Sequence, residues 1–99
     1  MGNIYKNQTK LRIILNVGDD LSAVNSQKIH FQKPNGVKGS WNAVADGANR
    51  SIYYDVQQDN EIDQVGTWKF WAELNYNDSR VAFGDPDSYR VFEQGVQKI

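Results

Sequence analysis

Apolar and polar residues alternate along most of this chain. Leu11, Ile13, Leu15 and Val17 alternate with Lys10, Arg12, Ile14 and Asn16, a period of two that buries one face of a strand and leaves the other outside. Gly18-Asp19-Asp20 ends that strand. Ile29, Phe31 and Lys33 alternate with Lys28, His30 and Gln32, and Pro34-Asn35-Gly36 follows. The Asn-Gly pair predicts a hairpin turn because both residues tolerate positive φ. The return strand runs through Trp41, Ala43 and Ala45, with Asp46-Gly47 opening the next turn. Ile52, Tyr54 and Val56 then face one way, and Ser51, Tyr53 and Asp55 the other.

The polar segment Gln57 to Val65 has room for a short helical turn. After it comes the clearest strand: Trp68, Phe70, Ala72, Leu74 and Tyr76 on one face, Lys69, Trp71, Glu73 and Asn75 on the other. Asn77-Asp78-Ser79 predicts a tight turn. Val81 and Phe83 open a last strand, which Gly84-Asp85-Pro86 interrupts and which resumes through Tyr89 and Val91. Pro86 has no backbone donor, so the interruption reads as a bulge or an edge position. No window carries a 3.6-residue period. About seven short strands with turns every 8–12 residues predict an all-β chain, folded as an antiparallel β-sandwich. Residues 1–93 form that single domain, and 94–99 read as a tail.

Composition narrows the chemistry. Ninety-nine residues make one domain with one core. Eleven Lys+Arg against twelve Asp+Glu leave a net charge of −1, which argues against a nucleic-acid partner and against a polybasic membrane binder. The longest apolar run is Ile13-Ile14-Leu15, far too short for membrane insertion. The opening MGNIYKNQTK lacks the apolar centre of a signal peptide, and Lys6 breaks the myristoylation pattern. With no cysteine, zinc–thiolate sites, iron–sulfur clusters, thiol nucleophiles and disulfides are excluded.

Catalytic groups are sparse. His30 is the one imidazole and sits mid-strand, where a triad base would need an orienting partner. The carboxylates that could pair for glycoside hydrolysis are Asp19, Asp20, Asp55, Asp59, Glu61, Asp63 and Glu73, and most lie in turns, where Asp caps backbone. Asp19-Asp20 and Asp85-x-Asp87 offer loop oxygens without the alternating spacing of a calcium loop. The three Asn-x-Ser/Thr triplets read as coincidence in a chain rich in Asn. The expectation is therefore a chain that is not an enzyme, with no metal and no cofactor.

The aromatic residues carry the remaining information. Trp68, Phe70 and Tyr76 belong to the core, and Trp41 and Tyr54 join them. Trp71 points outward by strand parity. If its strand lies beside that of His30 and beside the last strand, His30, Trp71 and Phe92 share one outer face. Ile14 and Tyr53 point outward from the other sheet. These five are the candidate protein-contact residues, because a Trp or Tyr buried at a contact contributes on the order of 2 kcal/mol. The same aromatics could stack on sugar rings, so surface glycans are an alternative partner.

The stretch Asp63-Gln64-Val65-Gly66-Thr67-Trp68-Lys69-Phe70 resembles the corner before the second-last strand of disulfide-free immunoglobulin-like domains. A longer pattern joins Leu11 to Ser22, Lys28 to Gly36, Gly39-Ser40-Trp41-Asn42-Ala43, Ser51-Ile52-Tyr53-Tyr54 and Gly66-Thr67-Trp68. It resembles small immunoglobulin-like proteins encoded among the virion genes of tailed bacteriophages, over about Ile4 to Phe92. That resemblance implies a structural part of a virion, in the tail, baseplate, neck or fibre or as a capsid decoration. Its implied partners are other virion proteins and copies of itself, and it carries no catalytic residues.

Overall fold

The computed structural model describes residues 4–95. Nine strand segments run in chain order: β1 (Ile4–Tyr5), β2 (Arg12–Asn16), β3 (Val24–Gln32), β4 (Lys38–Asn42), β5 (Val44–Asp46), β6 (Ser51–Asp55), β7 (Gly66–Tyr76), β8 (Val81–Phe83) and β9 (Asp87–Phe92). One sheet has the order β1-β9-β7-β3-β4, with β8 also paired to β7, and the other has the order β2-β6-β5. The two pack as a β-sandwich of immunoglobulin-like strand order, with no cysteine to cross-link them. Nine segments amount to seven passes of the chain. β4 and β5 are one strand that changes sheets at Ala43, whose N–H donates to the Gln27 carbonyl. β8 and β9 are one strand broken at residues 84–86.

That break is a bulge, as the Gly-Asp-Pro interruption predicts. Glu73 pairs with Phe83 and Phe70 pairs with Asp87. Two residues of β7 therefore face three of the other strand, and the register advances by one. Two expectations are corrected. The sandwich is not wholly antiparallel, because β1 runs parallel to β9 with Ile4 beside Val91. The segment Gln57 to Val65 forms no helix, only a single turn closed by the Glu61 N–H on the Gln58 carbonyl; among the described residues the 3-10 helix spans Gly47–Asn49. Glu61 organises the longer loop instead. Its carboxylate accepts from the N–H groups of Gln57 and Gln58 and from the Tyr54 hydroxyl, while Ile62 fills the core beneath. Side-chain acceptors that satisfy backbone donors compete with helix formation.

The core follows the period of two. Ile13 and Leu15 from β2, Ile29 from β3, Ile52 from β6, Trp68, Phe70, Ala72 and Leu74 from β7, and Val91 from β9 are all buried. Burying Trp68 and Phe70 contributes roughly 2–3 kcal/mol each. Trp41 and Tyr54 stack at 4.7 Å and close one end of the core half-exposed. The expected hairpin joins β3 to β4, but only Gly36 takes positive φ (90°); Asn35 does not. Pro34 and Asn35 occupy the turn, and the Asn35 side chain accepts from the Val37 N–H. Of the expected tail, Gln94 donates its amide to the Lys6 carbonyl, and residues 96–99 lie outside the described residues.

Candidate functional site

Strand parity places Lys28, His30 and Gln32 of β3, Lys69, Trp71, Glu73 and Asn75 of β7, and Val81 and Phe83 of β8 on the outer face of the larger sheet. His30 lies directly opposite Trp71 across β3 and β7. Their rings stack at 5.5 Å, 9° from parallel. The Phe83 ring is tilted 55° to the imidazole at 6.2 Å. The Nε2–H of His30 donates to Glu73 Oε1 at 2.7 Å, and the Asn75 amide donates to the second Glu73 oxygen at 2.9 Å. These bonds, Asn75 first and His30 second, hold the Glu73 carboxyl below its ordinary range. An ionised Glu73 accepts and cannot donate, which fixes the Nε2–H tautomer of His30.

The cluster is a set of rings around the hydrogen-bonded His30 and Glu73 side chains, with Val81 and Phe83 half or more exposed at its rim. Lys38 from β4, Lys28, Lys69 and Arg90 from β9 share the same outer face. Among the described residues none of these four cations has a carboxylate within ion-pair distance. The face thus presents aromatic rings around the Glu73 carboxylate, flanked by Lys28, Lys38 and Lys69, although the whole chain carries a net charge of −1.

The five sequence-predicted contact residues separate into three places. His30 and Trp71 meet as expected. Phe92 points outward from the same sheet but lies at the opposite end: its neighbour Val91 pairs with Gly66, about 17 Å along β7 from Trp71. There it meets Tyr5 at 6.3 Å and Arg90 at 5.8 Å. The expected alignment of Phe92 with the His30–Trp71 pair is thus corrected. Ile14 and Tyr53 pair with each other on the outer face of the smaller sheet. The Arg12 guanidinium lies 3.9 Å over the Tyr53 ring while binding Asp55 with both nitrogens, at 2.7 and 3.0 Å. That leaves Ile14 (45% exposed) and Val44 (51%) as exposed apolar residues on either side of Tyr53. Phe83 was missing from the expectation. Only its pairing with Glu73 beyond the bulge brings it beside His30, and the strand pattern does not state that register.

The loop carboxylates also have places. Asp19, Asp85 and Asp87 line one cleft of about 390 Å³ at the open side of the sandwich, floored by Leu15, Ala72, Leu74 and Ala82. Among the described residues no three His, Asp or Glu side chains converge as metal ligands. Asp20 caps the Ser22 N–H, which is turn chemistry. Asp63 holds Lys33 at 3.0 Å, tying the corner before β7 to the β3–β4 hairpin.

No family model matches the chain, and no curated protein matches it. Among solved structures it is similar to CopC from Methylosinus trichosporium OB3b, with a TM-score of 0.58 and 14% identity, covering 97% of this chain and 87% of that one. At that identity the likeness shows the fold alone. It overturns the expected role in a phage particle, whether as tail, baseplate, neck, fibre or capsid decoration: the matching fold is that of a protein from Methylosinus trichosporium OB3b, not of a virion part. The motifs behind the resemblance have packing explanations. Gly39 is where a Cβ would strike the Phe31 ring, and Gly66 (φ 129°) is where one would meet Pro34 at 2.9 Å. Trp68 is fully buried and donates to the Gln64 carbonyl at 2.9 Å. Residues demanded by a sandwich recur wherever that sandwich is used, whatever it does.

Proposed function

We propose that this chain is a non-catalytic binding domain that docks a protein partner on the outer face of its larger sheet. The observation that carries this reading is the His30–Trp71–Phe83 ring cluster flanked by Lys28, Lys38 and Lys69. Exposed aromatic rings on a sheet face beside flanking charges are the residues on which contact surfaces concentrate affinity. The complementary partner surface is apolar at its centre and acidic around it. The ring geometry supports protein contact over sugar stacking. His30 covers one face of Trp71, so the two rings lie one on the other rather than side by side as a platform.

The test uses a photo-crosslinking amino acid at Ser40, which is exposed on β4 directly opposite His30, in the cells that make the chain. A discrete protein adduct is expected from Ser40. It should fade with Trp71→Ala and with rising salt. The same crosslinker at Ile14, on the far side of the sandwich, should not form it. No adduct at Ser40, or an equal adduct from Ile14, would refute the reading.

A further inference from the structure

β8 is a three-residue uncharged edge of the larger sheet. Tyr76 donates its N–H to the Arg80 carbonyl, and Gly84 donates to Ala72. Arg80, Ala82 and Gly84 therefore direct their backbone groups at β7. Val81 and Phe83, between them, direct theirs to the outside. Among the described residues no strand pairs with that side of β8. Val-Ala-Phe carries neither a charge nor a proline, the devices by which edges are blunted, and Val81 and Phe83 are 50% and 64% exposed.

We propose that β8 pairs antiparallel with β8 of a second copy of this chain, centred on Ala82, to give a two-fold dimer with one continuous sheet. The centring follows from the backbone. Only with Val81 opposite Phe83 of the partner do the free N–H and C=O groups of both edges meet, forming four hydrogen bonds. That register also places the side chains. Val81 and Phe83 of the two copies form one apolar cluster on the outer face. Arg80 falls opposite the partner copy's Gly84, which has no side chain to block it. By parity with Ala82 it leans toward the cleft side of the sheet, where Asp19, Asp85 and Asp87 of the partner copy wait. The three carboxylates have no side-chain hydrogen bond or ion pair within their own chain among the described residues. Arg80 is 86% exposed and held only by Asp78 at 3.6 Å. A symmetric contact satisfies both groups twice. The joined sheet would carry two copies of the proposed docking face side by side. Phe83 belongs to both surfaces, but the backbone pairing does not depend on the docking reading.

The short edge sets the strength. A contact this small falls below the area of a stable dimer, so association is expected only in the range of roughly 0.1–1 mM. Sedimentation equilibrium over about 10 µM to 1 mM should show the mass rising from 11.3 kDa toward twice that value. Val81→Pro removes a donor that points away from β7, so the monomer fold, checked by circular dichroism and urea midpoint, should survive while association disappears. Arg80→Glu should weaken association about tenfold, and adding Asp85→Arg should restore it. Trp71→Ala should leave association within about twofold, which separates this proposal from failure of the docking reading. A chain that stays monomeric at about 1 mM, a dimer indifferent to Val81→Pro, or a charge swap that fails to rescue would each overturn it.

Discussion

Gly66→Ala is the sharpest test of the claim that the Gly-Thr-Trp corner is a packing device. Gly66 opens β7 at φ 129°, a region that L side chains rarely adopt. Holding alanine there costs on the order of 1–3 kcal/mol. An added Cβ would also lie 2.9 Å from Pro34 Cγ and 3.0 Å from Pro34 Cβ. Neither neighbour can yield easily. Pro34 is a ring inside the β3–β4 turn, and that hairpin is tied to the corner by Lys33 and Asp63. Overpacking of this kind costs roughly 1–3 kcal/mol more. The expected loss is therefore about 2–6 kcal/mol, a large part of a small domain's stability of roughly 5–15 kcal/mol. Urea unfolding followed by tryptophan fluorescence measures it directly, with an unchanged m-value as the check that the denatured state is the same. Pro34→Ala removes Cγ and leaves Cβ. The double variant should therefore recover about 1 kcal/mol relative to additivity. A loss below about 1 kcal/mol for Gly66→Ala would refute both constraints, and a cycle with no coupling would refute the Pro34 contact.

Trp71→Ala should fold, losing about 0.5–1.5 kcal/mol for the ring stack on His30 in the same urea assay; global unfolding would place Trp71 in the core instead of on the face. Burial and the Glu61 bond push the Tyr54 hydroxyl up to about 12. Its folded value thus lies above the unfolded one, so its contribution is complete below pH 10 or so and lost as pH rises through about 12. Tyr54→Phe should remove that alkaline decline, and absorbance titration should lose the tyrosine that ionises near 12. Glu73 shifts the other way, with Asn75 as the largest cause. Its stabilising contribution is present above the unfolded carboxyl value and lost in acid. Asn75→Ala should raise the Glu73 titration midpoint measured by carbon-detected NMR; an unmoved midpoint would assign the shift to other groups.

The fold was largely legible because a half-buried strand writes its two faces into alternate residues. Leu11 to Val17, Ser51 to Val56 and Trp68 to Tyr76 needed nothing else, and Gly84-Asp85-Pro86 announced its bulge because proline withdraws a donor. Trp71 could be placed on an outer face by the same parity. The virion role drawn from the resemblance was overturned, and several residues of the pattern behind it, Gly39, Gly66 and Trp68 among them, are ones that the sandwich packing itself requires.

Alternation along the chain decided which residues lie inside, since burial depends on a side chain's own polarity and parity. It did not decide which outward residues are neighbours, because that depends on strand order and register, set by contacts between segments far apart in the chain. Pairing of β3 with β7 laid His30 on Trp71. A one-residue shift at the bulge carried Phe83 to them and left Phe92 at the far end. The open side of the sandwich gathered Asp19 with Asp85 and Asp87, 66 and 68 positions away in sequence.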